Sequence, residues 1–401
     1  MEIYRFPMNQ LKSTTPLSLD SRFSPDVIAN VREIFGDEWK AVLEALAKPV
    51  RTYYVRCNTH KITPEELKNR LRQKCPRVNS CSEVPEALGM PLDGPFNIPI
   101  TDRLIVVDKQ TAESVLQGAN VYAPGILKCD TVRSGDAVTV ISEFGEALAS
   151  GNALMTTNEI LTFRKGLAIR VTHRRFHGPQ VRELPEFSDG LLYPQSLCAM
   201  ATSRVLEPQP GETIVDMNCA PGGKLSHLSQ LMNNTGTVLG FDRNAEKVAQ
   251  SRRIAANLGC RNVILSVHDS RYLDQDFPDL KADRVLIDPP CSALGLRPKV
   301  YDFTTQKRID NLAEYQKQFI KSASRLVKPG GIIVYSVCTF TSRECEKVVE
   351  YAEQESNLRV VEQKPFLGSK GFSTFGRSAS LCQRFHPHIH DAGYFIAKFE
   401  R

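Results

Sequence analysis

Among its eleven cysteines, scattered from Cys57 to Cys382, the chain has no CxxC pair. That leaves no zinc pattern and no metal site to assign, and an odd count without framework spacing points to reduced thiols in the cytoplasm. No apolar run approaches the length that crosses a bilayer, and the opening MEIYRFPMNQ lacks the basic-then-apolar order of a secretory signal. Neither GxGxxG nor a Walker lysine-serine motif occurs, and there is no internal repeat, heptad array or low-complexity tract. Extreme charge is missing too: the net formal charge is +6, with 24% charged and 41% hydrophobic residues. Wholesale disorder is thereby excluded, while a polyanionic partner is permitted but not required. The 401 residues leave room for two or three domains. A soluble monomer with no membrane partner is expected.

The most informative stretch is Arg284–Cys291, RVLIDPPC. Val285, Leu286 and Ile287 suit a buried parallel strand, and two prolines after Asp288 forbid both a helix and a further ladder bond. A carboxylate and a thiol therefore sit just past a strand's carboxyl end, where open α/β sheets bind ligands. The pattern recurs at Ile332–Tyr335, followed by Ser336-Val337-Cys338-Thr339. Adjacent strands would bring two thiols beside one carboxylate. Two buried core cysteines are the plainer alternative; prolines and hydroxyl residues around both favour a strand-end cleft.

Taken in order, residues 1–102 read as a small α+β region. Ser24-Pro25 caps a helix with Ile28, Val31, Ile34 and Phe35 on its apolar side, and Glu38–Ala47 forms a second helix. Tyr53–Asn58 reads as a strand, and Thr63-Pro64-Glu65-Glu66 is a capping box launching the helix Glu65–Gln73. Ser80–Ile100, with prolines at 85, 91, 95 and 99, reads as irregular and connective. Residues 103–188 form a β-rich module of short strands separated by glycines. From 189 to 401, strands and helices alternate as in a doubly wound sheet: strands at 213–216, 237–241, 263–266, 284–287, 332–335 and 394–399, with helices at 225–232, 245–258, 311–327 and 343–354.

The tail of the middle module, Leu161–Arg182, holds Arg164, Lys165, Arg170, Arg174, Arg175 and Arg182 and no acid, with Phe163 and Phe176 interleaved. Cations with aromatics fit phosphate contact and base stacking, so nucleic acid is the favoured partner. A solvated edge strand that uses cations against aggregation is the alternative.

Between the first strand and helix of the last unit stands Asn218-Cys219-Ala220-Pro221-Gly222-Gly223-Lys224, a glycine pair that lets a ligand approach backbone N–H groups. Asp242, Asp269 and Asp288 follow three successive strands at one sheet edge, and such density of carboxylates disfavours a phosphorylated nucleotide. The expected cofactor has a ribose and an adenine but no phosphate: S-adenosylmethionine.

These residues resemble the NOL/NOP/SUN family of RNA (cytosine-5) methyltransferases. The resemblance rests on Asp216–Lys224, Asp242, Asp269, Asp288-Pro289-Pro290-Cys291 and Ser336-Val337-Cys338-Thr339, and runs from about Arg51 to the end. Gly118–Ile126 and Arg297-Pro298 are similar to the PUA-bearing branch, which adds Tyr122 to the RNA-contacting set. The resemblance implies a class I, Rossmann-like methyltransferase domain behind a PUA-like β-barrel, acting near the 3′ end of a tRNA acceptor stem. It implies that Asn218–Lys224 hold the cofactor's methionine part, Asp242 its ribose and Asp269 its adenine, with Lys247 and Asp288 nearby. It makes Cys338 the nucleophile, Asp288 the group that holds the base, and Cys291 the group that assists release. Two departures stand out: Asn218-Cys219 where the family has cysteine and alanine, and Val337 where it has threonine; altered affinity rather than inactivity is expected. Three alternatives stay open: an amino-group methyltransferase using D-P-P, a DNA-type enzyme with Cys291 as nucleophile, and a non-catalytic RNA-binding factor.

Overall fold

A computed structural model describes residues 19–401; the opening MEIYRFPMNQ lies outside them. In the carboxyl-terminal half, β1 (Thr213–Asp216), β2 (Thr237–Asp242), β3 (Val263–Val267), β4 (Ala282–Ile287) and β5 (Val327–Val337) run parallel in a nine-stranded sheet. β6 (Tyr394–Glu400) lies antiparallel on β5. The order 3-2-1-4-5-6 reverses direction beside β1, the point where doubly wound sheets open a ligand crevice. Val285, Leu286, Ile287, Ile333, Val334 and Tyr335 are wholly buried, as expected of strands covered on both faces.

The crossover helices are α1 (Gly223–Leu231), α2 (Ala245–Asn257), α3 (Gln306–Leu326) and α4 (Glu346–Glu355). α3 starts five residues before the expected Asn311, because the Thr305 side chain accepts from the Arg308 N–H and so caps it earlier. α4 starts at Glu346 rather than Arg343, after a turn closed by Cys345 N–H donating to the Thr341 carbonyl.

The amino-terminal helices Pro25–Phe35 and Trp39–Leu46 form with the expected Ser24 cap. They pack on the catalytic unit: Val27, Val31, Phe35, Leu43 and Leu46 share a core with Leu294, Ile309 and Phe340. The strand Thr52–Cys57 is central in a separate four-stranded sheet. Its partners are Leu192–Pro194, from beyond the middle module, and Ala87–Pro91. The latter corrects the reading of Ser80–Ile100 as wholly irregular. Pro85 precedes that strand and Pro91 closes it, so neither removes an interior ladder bond. Gly89 sits where a Cβ would lie 2.4 Å from Asn79 Oδ1, so the glycine that weakens the strand signal is what lets the strands approach.

In the middle module six strands, Leu104–Val107, Val121–Tyr122, Ile126–Cys129, Ala137–Ser142, Ala147–Ala153 and Leu167–Arg174, form one mixed sheet covered by the helices Lys109–Leu116 and Thr157–Phe163. Its core takes in Val300, which belongs to the segment after Cys291. That segment also donates from Lys299 N–H to the Leu46 carbonyl and from Val300 N–H to Glu113, while Tyr301 bonds Glu143. All three parts of the chain meet on it.

A buried polar joint fastens the small sheet to the catalytic unit. Glu86 accepts from His227 Nε2 at 2.6 Å and from Arg204 Nη2 at 2.5 Å. Burial alone would raise the Glu86 carboxyl, but these two donors outweigh it and hold it well below the usual range. Arg56, wholly buried, donates to Gln195, to the Gly223 carbonyl and to Ser226. Glu86→Ala strands Arg204 and His227 and should cost about 3 kcal/mol, read as a lower urea midpoint of the methyltransferase domain.

Candidate active site

β4 and β5 pair in register, Ile287 opposite Tyr335, and both lose strand geometry within two residues. Asp288 and Ser336 therefore emerge side by side, and Ser336 Oγ donates to Asp288 Oδ1 at 3.0 Å. Three residues beyond Asp288, and two beyond Ser336, the chain carries Cys291 and Cys338, whose sulfurs stand 3.2 Å apart. That separation is well outside the roughly 2 Å of a disulfide, and every cysteine of the chain is free. The Cys291 thiol is raised well above its ordinary value, first by its hydrogen bond with Cys338, then by burial and by the charges of Cys338 and Glu344. Cys291 is thus a thiol that keeps its proton. Cys345 and Cys382, which the sequence left without a role, are buried in the core.

Lys224, on the first turn of α1, points at this cluster. Its Nζ donates to Asp288 Oδ2 at 2.5 Å and faces the Tyr394 ring at 5.8 Å. Burial alone would lower the ammonium, but Asp288 and Tyr394 outweigh it and hold it above its ordinary value. Lys224 thus directs its charge at Asp288, at the strand end that carries the thiols.

A cleft of about 390 Å³ runs from the two cysteines along the ends of β1, β2 and β3, a volume in the range of small-ligand sites. Its walls carry Asn218, Ala220, Asp242, Lys247, Asp269 and Asp288 from the expected set. Asp242 is the last residue of β2, and the Asn244 N–H donates to its Oδ1 at 2.8 Å. Asp269 is gripped by Arg271 through both carboxylate oxygens, at 2.9 and 2.6 Å, and these bonds hold its carboxyl below the usual range. Arg271 in turn lies 4.6 Å over the Tyr315 ring of α3. Ser270, His268, Tyr315 and Phe319 also line the cleft. Nothing local to the chain singles them out: an aromatic at i and i+4 of a helix reads as core.

Cys219 does not face the cleft. Its side chain is buried among Ala201, Leu225 and Leu228, so the departure there is a matter of packing behind the loop. Pro221, Gly222 and Gly223 form the turn into α1 rather than the cleft wall. Gly222 takes φ +111°, which a side chain would strain. Two buried acceptors beside the cleft, Asp216 Oδ2 and Asn218 Oδ1, have no hydrogen-bond partner within the protein. They suit a ligand bearing an ammonium group. With the Asp242 carboxylate at the ribose end, the residues fit S-adenosylmethionine.

The basic tail divides in two. Arg164 donates to the carbonyls of Ile126 and Pro124, Arg174 to the Gly118 carbonyl, and Arg175 to Glu146 and the Ala147 carbonyl. These three arginines are bonded within the module, to partners far off in sequence that leave no local signal. Lys165, Arg170 and Arg182 are exposed, and Tyr122 and Phe163 are 57% and 66% exposed. Tyr122 pairs with Leu167, two residues after Lys165 in the chain.

The sheet order, the strand-end carboxylates and the turn into α1 define a class I S-adenosylmethionine-dependent methyltransferase, and the paired thiols mark the cytosine-5 kind. Comparison with known proteins agrees. A profile of the 16S rRNA methyltransferase RsmB/F family matches residues 203–400, and one of the PUA domain matches 103–174. The tRNA (cytosine(72)-C(5))-methyltransferase of Pyrococcus horikoshii is 38% identical over 92% of this chain and 95% of its own. The human tRNA (cytosine(72)-C(5))-methyltransferase NSUN6 is 30% identical over 87% of this chain and 83% of its own. The crystal structure of NSun6 from P. horikoshii with SFG superposes with a TM-score of 0.87 at 37% identity, covering 94% of this chain and 98% of that one. The chain belongs to the NOL/NOP/SUN family of S-adenosylmethionine-dependent RNA (cytosine-5) methyltransferases, in its PUA-bearing branch. Asp242→Ala should weaken S-adenosylmethionine binding by about 2–4 kcal/mol, the scale of losing charge-assisted bonds, as measured by calorimetry.

Proposed function

We propose that this protein methylates C5 of cytidine 72 in a tRNA acceptor stem through a covalent bond between Cys338 and C6. The observation that carries the reading is the pair of reduced thiols 3.2 Å apart beside an Asp288–Lys224 pair, at the mouth of a cleft that fits the cofactor. The position is supported by the relatives named for cytosine 72, one of them alike along nearly its whole length.

Cytosine C5 is too weakly nucleophilic to be alkylated unaided, and addition of a thiolate at C6 gives it enamine character. Cys338 forms the S–C6 bond, and the ring electrons move toward C5 and N3. Asp288, already accepting from Ser336 and Lys224, accepts from the exocyclic amine, and the Lys224 ammonium holds the proton that charge at N3 calls for. When bound, S-adenosylmethionine supplies the electrophilic methyl group. C5 then carries both hydrogen and methyl. The C5 hydrogen leaves as a proton to solvent, its bonding pair restores the C5–C6 double bond, and the S–C6 pair returns to Cys338 as thiolate; the Cys291 thiol, beside the sulfur that leaves, assists this release by donating a hydrogen bond to it. The base has to leave its stack to reach the thiol.

The exposed Tyr122, Phe163, Lys165 and Arg170 offer the RNA stacking faces and cations. Eleven free cysteines support a reducing compartment, the cytoplasm, and among the described residues no helix is long and apolar enough to cross a membrane.

The two thiols separate this reading from its rivals. Cys338→Ala should be inactive and form no adduct. Cys291→Ala should accumulate a protein–RNA band on denaturing electrophoresis that requires cofactor and vanishes in the double mutant. A DNA-type mechanism predicts the trapped band in the Cys338 mutant instead; activity retained in both mutants without an adduct favours amino-group transfer. On the PUA side, Lys165→Ala should weaken tRNA binding and reduce the slope of log affinity against log salt by about 1, with cofactor affinity unchanged. Arg174→Ala, by contrast, should lower the module's thermal midpoint.

A further inference from the structure

Both cysteine loops are tied to one carboxylate that the reaction above does not use. Glu344 is wholly buried, two residues before α4. Its Oε1 accepts from the Ser292 N–H at 2.8 Å and from Gln316 Nε2 at 3.1 Å. Its Oε2 accepts from the hydroxyls of Ser292 at 2.6 Å, Thr341 at 3.0 Å and Thr339 at 3.4 Å. Ser292 follows Cys291 and Thr339 follows Cys338, and their hydroxyls are themselves 2.8 Å apart. Gln316 also donates to the carbonyl of Pro290, the residue before Cys291, at 3.0 Å. Its amide oxygen accepts from Tyr335 on β5, whose hydroxyl also bonds the Glu344 carbonyl. One buried side chain thus gathers the residue after each thiol, the helix behind them and the strand that delivers one of them.

A carboxylate with five donors is a costly thing to bury for packing alone, and removing it would leave those donors unpaired. Nor is it needed to close α4, which begins beyond it. We infer that Glu344 is the positioning residue of the thiol pair, acting through Ser292 and Thr339 to hold Cys291 and Cys338 at one separation and in one orientation. Its charge has a second effect. After the Cys338 hydrogen bond, burial and the Cys338 charge, it is a further cause that raises the Cys291 thiol, and so it keeps a proton on the sulfur that assists release. The inference rests on the two-thiol reading above.

The test is Glu344→Gln in the full chain, which keeps the volume but turns one acceptor into a donor facing donors. kcat should fall about 10- to 100-fold, the scale of a reacting group displaced by a fraction of an ångström to one. KM for tRNA and affinity for S-adenosylmethionine should stay within about two-fold, because neither the cofactor cleft nor the PUA surface touches Glu344. Alkylation of Cys291 by iodoacetamide, followed site by site by mass spectrometry, should begin at lower pH than in wild type, since a neighbouring negative charge has gone. A merely structural role would not move that profile. Should Glu344→Gln fail to fold, Ser292→Ala removes the hydroxyl that ties the first loop to Glu344 and Thr339 and should lower kcat in the same direction, with no shift of alkylation to lower pH because the Glu344 charge remains. An unchanged alkylation profile in Glu344→Gln overturns the inference, as does kcat within about two-fold of wild type in the variant measured. Failure of the two-thiol reading is separately visible, as absence of the adduct in Cys291→Ala.

Discussion

The in-register parallel pairing of β4 with β5 is the constraint on which the site depends. Ile287 lies opposite Tyr335, and everything reactive is counted from that pair. Asp288 meets Ser336, and the thiols fall within hydrogen-bonding reach of each other. A slip of one residue would turn each strand's inward side chains to the other face of the sheet and separate the sulfurs. The register is secured by the two buried apolar runs, which match one another in length and burial. Chemistry at the edge is thus a by-product of packing at the centre.

How much of this could be read from residues depended on whether the signal was local. The apolar runs ending in Asp288 and Ser336, and the turn Asn218–Lys224, carry their meaning within a dozen residues, and the strands and crossover helices followed. Ser24 and Thr63 announced their helices by capping chemistry alone. Where the decisive partner was distant, the residues alone told less. Arg164, Arg174 and Arg175 look like a charged face until the carbonyls of 118, 124 and 126 and the carboxylate of Glu146 are brought to them. Ala87–Pro91 looks irregular until Thr52–Arg56 completes its ladder. Cys219 reads as a site residue because it stands in the right motif, yet its side chain points into the core. Lys224 stands in the same motif and turns out to serve Asp288, a choice that only the fold could reveal.

The same division runs through the electrostatics. Acids that meet solvent along the cleft, such as Asp242, were visible as strand-end carboxylates. Buried polar joints were not: Glu86 with His227 and Arg204, and Arg384 with Glu346 at 2.5 Å, resemble ordinary surface charges in a linear sequence. They join elements more than thirty residues apart, and in the first case the start of a strand of the small sheet to two helices of the catalytic unit. Such joints are expensive to bury and strongly penalised when halved, so they fix how the parts sit rather than merely adding to stability.

Val300 gives the architecture an unexpected property. It is a core residue of the PUA domain, yet it is encoded in the catalytic segment, nine residues after Cys291. The usual picture of an RNA-binding module as an interchangeable cassette therefore does not hold for this chain. Grafting another PUA domain onto it, or this one onto another enzyme, would leave a hole in one partner and an exposed valine in the other. The two parts have to change together, and the segment between Cys291 and α3 is where they must agree.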